Sequence, residues 1–313
     1  MKFDLRRESW NLGIIPASVQ SIVREGIVNP VQWLLSPSRW EFYADPACYP
    51  LGDGRLILLA ERLSYWNERG EIWAAIVSGN DWSKITFRPW LKTNFHLSYP
   101  FPFADGDTVY LVCESCEAGK AFLWQRVNNG WQMCGAILQR PAIDVTIWRG
   151  LDHWWLFCTM ANDHPNERLY VFFADHPRGP WLSHPANPVK TDVASSRPAG
   201  PLFNCDGKLI RPAQDCSSTY GGAIVLNVIE RLDEQAFVEH PLRRLTPAQP
   251  YPHGMHTICP AGEITLVDGK RWDVHPLDVA RKSIVPFTKR MRHFRLRQWP
   301  IDVADLIQPL ADS

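Results

Sequence analysis

Five polar positions recur along this chain at nearly regular intervals. They are Asp45, Ser98, Asp144, Arg197 and His256. The steps between successive members are 53, 46, 53 and 59 residues. Two carboxylates brought together suit general acid–base work on a glycosidic bond. Arginine and histidine in the same place suit an anionic group, because a guanidinium matches the oxygens of phosphate or carboxylate.

A second polar set follows about sixteen residues after the first. Its members are Glu61, Glu114, Met160, Gln214 with Asp215 and, at a shorter interval, Asp268. If the first set begins a strand in each repeat, the second lies where the next strand returns to the same end. We therefore expect both sets, with the neighbouring His96, Tyr99 and Arg211, to meet at one site.

A repeated turn supplies the elements that would position these residues. The turns are Gly52-Asp53-Gly54, Ala104-Asp105-Gly106, Gly150-Leu151-Asp152, Cys205-Asp206-Gly207 and Pro260-Ala261-Gly262. Their central residues are 52, 46, 55 and 55 residues apart. Each turn stands beside a short run rich in aliphatic and aromatic residues, typical of a β-hairpin. A period near fifty residues predicts a β-propeller, whose repeated units surround one axis.

The repeat predicts an all-β fold with five blades. The expected blades are 40–92, 94–140, 141–192, 193–246 and 250–282. The fifth is short of strands, and the apolar segment 10–15 is expected to complete it, which would leave no open sheet edge. We predict one five-bladed β-propeller over residues 1–282, closed by the N-terminal strand. We also predict a C-terminal extension over residues 283–313, which belongs to a short basic tail.

Composition excludes several classes of function. The formal net charge is +0, which does not favour nucleic acid or an anionic membrane as a partner. No apolar run reaches the roughly 18 residues that a membrane span needs, and the first residues lack a signal-peptide core. We expect a cytoplasmic protein without a cofactor. Zinc held by His96, His256 and a carboxylate is an alternative, but no short ligand spacing supports a metal site.

The axial layout resembles the five-bladed glycosidase clan that includes arabinanases and invertases. That resemblance implies a catalytic Asp opening blade one, a second Asp opening blade three and a general-acid Glu opening blade four. Asp45 and Asp144 match the first two positions, whereas Arg197 stands in the third. Arginine stays protonated and cannot serve as the acid. Any hydrolase chemistry here therefore needs another proton donor.

Several motifs resemble a more specific family. They are His96-Leu97-Ser98-Tyr99-Pro100-Phe101, Gly179-Pro180-Trp181, Ser196-Arg197-Pro198-Ala199-Gly200 and Arg211-Pro212-Ala213-Gln214-Asp215. They are similar to the propeller domain at the N-terminus of plant glucosamine inositolphosphorylceramide transferases, over roughly residues 10 to 280. In those proteins a separate C-terminal domain is the recognised glycosyltransferase. The resemblance implies a propeller in a glycan-related context.

Three functions follow as alternatives. The first is an enzyme acting on a glycosyl or sugar-phosphate bond in the axial funnel, in glycan or glycoconjugate biosynthesis. The second is a sugar- or anion-binding module that assists a partner glycosyltransferase, and the third is a scaffold with a merely polar axis. Under the first, the catalytic candidates are Asp45, Asp144, Glu114 and Asp215. The candidates for holding a sugar, sugar phosphate or nucleotide sugar are His96, Ser98, Tyr99, Arg197, Arg211, Gln214, His256 and Glu61.

Overall fold

Each predicted turn lies between the first two strands of an antiparallel sheet. The computed structural model describes residues 6–28, 30–78, 82, 85–128, 130–275 and 277–278. In that part of the chain five sheets form five blades, so the predicted five-bladed β-propeller is confirmed. The predicted C-terminal extension and most of the basic tail lie outside the described residues.

Blades one and two each contain four strands in simple sequence order. Blade one consists of β3 (Glu41–Pro50), β4 (Arg55–Ser64), β5 (Arg69–Ser78) and β6 (Arg88–Leu91). Blade two consists of β7 (Ser98–Asp105), β8 (Thr108–Glu114), β9 (Ala121–Val127) and β10 (Gly130–Leu138). A short 3-10 helix, Cys116–Ala118, joins the second and third strands of blade two.

Blades three and four follow the same order, with outer strands of very different length. Blade three consists of β11 (Ala142–Arg149), β12 (Trp154–Met160), β13 (Arg168–Ala174), β14 (Leu182–Ser183) and β15 (Lys190–Thr191), the last two both pairing with β13. Blade four consists of β16 (Phe203–Cys205), β17 (Lys208–Asp215), β18 (Ala223–Leu232) and β19 (Phe237–Leu245).

The fifth blade combines distant parts of the sequence. It contains β20 (Ile258–Ala261), β21 (Ile264–Val274), β1 (Arg6–Ile15) and β2 (Gln32–Trp33). Strand β1 pairs with β21 from Arg6 opposite Val274 to Ile15 opposite Thr265. The expectation that an N-terminal strand closes the ring is confirmed, and this strand is longer than the predicted segment 10–15.

Apolar faces of neighbouring blades form the core. Fully buried Leu111, Trp124 and Phe95 lie between blades one and two, and Leu226 and Ile258 lie between blades four and five. One α-helix, Val19–Glu25, packs Val19 and Ile22 against the latter cluster. In the described part of the chain, no helix has the length and apolar character needed to cross a bilayer.

Gly200 marks the closest approach of blades four and five, so we expect Gly200→Ala to destabilise the protein. A Cβ at this position would lie 1.9 Å from the carbonyl oxygen of Ile258, and φ is +129°. The backbone must shift to relieve this overlap, at a cost of about 2–4 kcal/mol. Urea unfolding checks the prediction, with Gly207→Ala as the control because nothing lies within 4 Å of a Cβ there, although φ is also positive. Equal losses in both variants would contradict the role of packing.

Candidate functional site

Three inner strands contain the same irregularity at the same end of the propeller. The pairing register shifts between Ala44 and Ala47 in β3, between Ser98 and Phe101 in β7, and between Ile143 and Thr146 in β11. Within these bulges, Asp45, Tyr99 and Asp144 have φ values of 53°, 45° and 51°. Left-handed backbone is uncommon for residues other than glycine, and bulges often reorient a side chain next to a functional site.

The bulges correct the alignment of two predicted positions. Ser98 lies opposite Glu114 as Ala44 lies opposite Glu61, so Tyr99 rather than Ser98 is the structural equivalent of Asp45. In blade three, Ile143 lies opposite Thr159. Thr159, and not Met160, is therefore the equivalent of Glu61 and Glu114. Adjacent strand residues face opposite ways, so an error of one residue selects the wrong side chain.

The remaining predicted residues meet as one buried cluster, which we call the polar ring. Its members are Asp45, Glu61, Glu114, Asp144, Arg197, Gln214, His256 and Asp268, each at most 9% exposed. Five of the eight are carboxylic acids, whereas arginine and histidine supply the positive charge. This excess of acids makes the protonation of individual carboxyl groups the main chemical question.

Asp45 connects blades one, two and five. One carboxylate oxygen accepts a hydrogen bond from the backbone N–H of Tyr99 at 3.0 Å, and the other accepts one from the Thr257 hydroxyl at 3.0 Å. His256 Nε2 lies 3.3 Å from the same oxygen as Thr257. Burial raises the pKa of Asp45 to about 6, with nearby carboxylates adding to the rise and His256 opposing it.

His256 is held between two acids and an indole. Its Nδ1 lies 2.6 Å from an Asp268 oxygen, and its ring stacks on Trp10 with centroids 3.9 Å apart. Burial lowers the pKa of His256, but the carboxylates of Asp268 and Asp45 outweigh burial and raise it overall. Asp268 also accepts the backbone N–H groups of His256 and Thr257 at 2.8 and 3.0 Å. The imidazole is therefore fixed in place and favoured in its charged form.

Asp144 is tied to blade four. Its Oδ2 accepts hydrogen bonds from Arg197 Nε at 2.6 Å and from Gln214 Nε2 at 2.9 Å. Arg197 also donates to Asn166 at 3.1 Å, and its guanidinium lies 4.8 Å from the centre of the Tyr220 ring. Arg197 thus pairs with the blade-three carboxylate, in the position where the glycosidase resemblance implies an acid.

Glu114 is a ring carboxyl suited to hold a proton at neutral pH. Burial and the negative charge of Asp144 raise its pKa to about 8, against the opposing charge of Arg197. The Cys116 thiol donates to Glu114 Oε1 at 3.2 Å. A carboxylic acid kept neutral by its surroundings is what a general acid requires.

Glu61 and His96 form the edge of the ring between blades one and two. The backbone N–H of Gly70 donates to His96 Nδ1 at 2.9 Å, so a neutral imidazole carries its proton on Nε2. That nitrogen lies 3.3 Å from Glu61 Oε1. Burial raises the pKa of Glu61 well above its ordinary value, and four neighbouring carboxylates act in the same direction. His96 is half-buried and lies at the solvent side of the cluster.

Arg211 and Asp215 lie in β17 but point away from the polar ring. Arg211 is 1% exposed, pairs with Glu239 at 2.5 Å and donates to the carbonyls of Ser195 and Ser196. Asp215 accepts from Arg244 at 2.8 Å and from Ser217, and these bonds lower its pKa although burial opposes them. The substrate-binding role predicted for Arg211 and the proton-donor role predicted for Asp215 therefore do not fit their contacts.

The sequence pattern did not indicate several residues that surround the polar ring. Trp10 and Tyr220 enclose His256, and Asn166 holds Arg197. Lys270 is fully buried, donates to the Thr219 hydroxyl at 3.2 Å and lies 5.2 Å from the Trp10 ring centre. Trp10 could have been found from the predicted closing strand, which places it beside blade five. Half-buried Tyr220 and Asn166, with His96, form the solvent edge of the site.

One group of potential metal ligands occurs among the described residues. Donor atoms of Asp45, His256 and Asp268 all lie within 4.8 Å of one another. His96, considered in the zinc hypothesis, is not among them and contacts Glu61 instead. Each of the three groups already has hydrogen-bond or ion-pair partners within the protein. A cation bound there would have to replace several of these contacts.

The fold is similar to that of solved glycoside hydrolases. An α-L-arabinofuranosidase from Podospora anserina superposes with a TM-score of 0.56 at 13% identity, covering 74% of this chain and 82% of that one. A family 117 glycoside hydrolase from Zobellia galactanivorans gives 0.52 at 14% identity, over 69% and 74%. At such identities the likeness shows the shared fold alone.

Sequence relatives define the family. Residues 27–248 match the family described as glucosamine inositolphosphorylceramide transferase 1, N-terminal, and the chain belongs to this family. It is 30% identical to glucosamine inositolphosphorylceramide transferase 1 of Oryza sativa subsp. japonica over 261 residues, and 33% identical to that of Arabidopsis thaliana over 263 residues. The matches cover 75% and 74% of this chain but 35% and 33% of the relatives. The chain thus spans about a third of the length of these relatives.

Proposed function

We propose that this protein binds a glycosyl substrate at the solvent edge of the polar ring and acts on the bond at its anomeric carbon. Glu114 is the proton donor and Asp45 the second catalytic carboxylate in this scheme. The observation that carries the proposal is the burial of the Glu114 carboxyl in a ring of ionisable groups, which raises its pKa to about 8. Family membership and the glycosidase-type fold support a sugar as the ligand.

The other ring residues have supporting roles. Arg197 pairs with Asp144 and holds it in place, and the negative charge of Asp144 helps keep Glu114 protonated. His256 and Asp268 hold Asp45, and half-buried Asn166 and Tyr220 line the solvent edge at which the sugar would lie. Aromatic rings beside polar groups are typical of ligand sites.

The proposal is tested first by binding and then by turnover. Neutral oligosaccharides, sugar phosphates and nucleotide sugars are screened for thermal stabilisation of the wild-type protein, because a ligand that binds the folded state raises Tm. Ligands that bind are then assayed with Glu114→Gln, Asp45→Asn and, as a matched control, the exposed-site variant Glu230→Gln. We expect Glu114→Gln to retain binding and lose about 10²–10⁴-fold in turnover, whereas Glu230→Gln behaves as wild type.

The outcomes separate the alternatives. Wild-type turnover in Glu114→Gln would contradict the donor assignment, and ligand stabilisation unchanged in Asp45→Asn would contradict the site. A second function, a sugar-binding module that serves a partner glycosyltransferase, is favoured by the Arg197–Asp144 pair at the position of the expected acid. It would be supported by binding without turnover of any ligand in the screen.

A further inference from the structure

The opposite end of the propeller axis has a different chemistry from the polar ring. A cavity of about 270 Å³ lies there, lined mainly by apolar residues from the inner strands of four blades. Ala47 of β3, Phe101 of β7 and Phe203 of β16 contribute to its wall. Asp45 and Cys48 belong to the same strand, which therefore runs from the polar ring to this apolar end.

Two thiols face each other in the wall of this cavity. Cys48 belongs to blade one and Cys259 to blade five, and their sulfur atoms are 3.7 Å apart. A disulfide bond is about 2.0 Å long, so the two sulfur atoms must approach by about 1.7 Å to form one. All eight cysteines are free thiols, and the two belong to neighbouring blades joined otherwise by packing and hydrogen bonds.

We propose that Cys48 and Cys259 form a reversible disulfide that joins blade one to blade five when the protein meets hydrogen peroxide. The Cys48 thiolate attacks one peroxide oxygen, which breaks the O–O bond and gives a sulfenic acid and, after protonation, water. The Cys259 thiol then attacks the sulfenic sulfur and expels a second water. The two thiols together lose two protons and two electrons, and one peroxide is reduced to two waters.

The surroundings favour Cys48 as the attacking group. It is half-buried at the cavity, whereas Cys259 is 4% exposed. The contact between the two sulfur atoms lowers the pKa of Cys48, although burial opposes this effect, and raises the pKa of Cys259. The thiolate is the reactive form of cysteine. The cavity is large enough for a molecule of peroxide size, since a water molecule occupies about 30 Å³ in the liquid.

Peptide mapping after peroxide treatment tests this proposal on the wild-type chain. Protein treated with peroxide and then alkylated should contain a linked Cys48–Cys259 peptide and two fewer free thiols, and dithiothreitol should restore both. Because the bridge closes a loop of about 210 residues, we expect Tm to rise by about 5 °C. Cys48→Ser and Cys259→Ser should each abolish the linked peptide and the Tm shift.

Cys134 provides the matched control, because it is exposed and belongs to the outer strand of blade two. Cys134→Ser should leave the linked peptide and the Tm shift unchanged. The proposal is overturned if Cys48 and Cys259 remain open to alkylation after Cys134 has been oxidised. A linked peptide that joins any other cysteines would overturn it equally.

Discussion

Raising the pH from 5 to 8 is expected to destabilise the folded protein by on the order of 4 kcal/mol, at about 1.4 kcal/mol per pKa unit. Burial raises the pKa of Glu114 to about 8 and that of Asp45 to about 6. In this range the folded protein holds protons that the unfolded chain has already released. The stabilisation is therefore complete below the ordinary carboxyl pKa near 4 and is lost as the pH rises through 6 and 8.

The other perturbed groups do not reverse this direction. Glu61 and His256 also have raised pKa values and add to the same loss. Asp215 and Glu239 have lowered pKa values, so their contributions are lost only as the pH falls below about 4. Above pH 8 the thiols of the unfolded chain begin to ionise as well, so the predicted dependence applies between pH 5 and pH 8.

Urea unfolding at unit intervals of pH measures this dependence. In Glu114→Gln the slope between pH 6 and 8 should flatten, because the amide does not titrate. Glu230→Gln, which changes an exposed carboxylate, should keep the wild-type slope. A Glu114→Gln protein with the full wild-type slope would show that Glu114 is ionised at neutral pH, and would remove the main support for its role as proton donor.

Glu239→Leu is expected to cost about 3–5 kcal/mol of stability. Glu239 accepts two hydrogen bonds from Arg211, at 2.7 and 2.5 Å, and one from Lys190 at 2.7 Å. The Glu239 and Arg211 side chains are 2% and 1% exposed. Removing the acid leaves a buried guanidinium without its counter-charge, and breaking one side of such a pair costs far more than an exposed pair contributes.

A double variant separates pairing from packing. Glu239→Leu with Arg211→Met removes both charges, so we expect it to recover much of the loss, as measured by the free energy of unfolding. Arg24→Met is the surface control: it breaks an exposed ion pair with Asp206 and should leave the free energy of unfolding close to that of the wild type. A double variant no more stable than Glu239→Leu would mean that the hydrogen bonds of Arg211 to Ser195 and Ser196 dominate.

The architecture was predictable because it depends on periodic features of the sequence. The turn at Gly52-Asp53-Gly54 and its four counterparts give the number of blades, and the apolar segment at Trp10 gives the closing strand. Asp45, Asp144, Arg197 and His256 could also be assigned to one end of the axis. Each lies within or shortly before the first strand of its blade, at the same end of the propeller.

The finer arrangement depended on contacts that spacing does not encode. A bulge in β7 places Tyr99, not Ser98, in the position of Asp45. Arg211 appears close to the site in sequence, but its side chain extends toward Glu239 on the outer strand of blade four. Whether Arg211 faces the polar ring or the outer strand depends on the buried charge with which it pairs. That partner is Glu239, 28 residues away.

Both ends of the described chain supply strands of blade five. The site can therefore be completed only after the last of these strands has been synthesised. Asp45 accepts its Thr257 hydrogen bond across 212 residues, and its own N–H reaches Asp268 across 223. Four blades can form on the ribosome while Asp45 still lacks Thr257 and Asp268, and while Trp10 still lacks His256. Contacts between such distant residues form late and slow the folding of a chain. A nascent chain stopped before residue 268 therefore has most of its sheets but not its site.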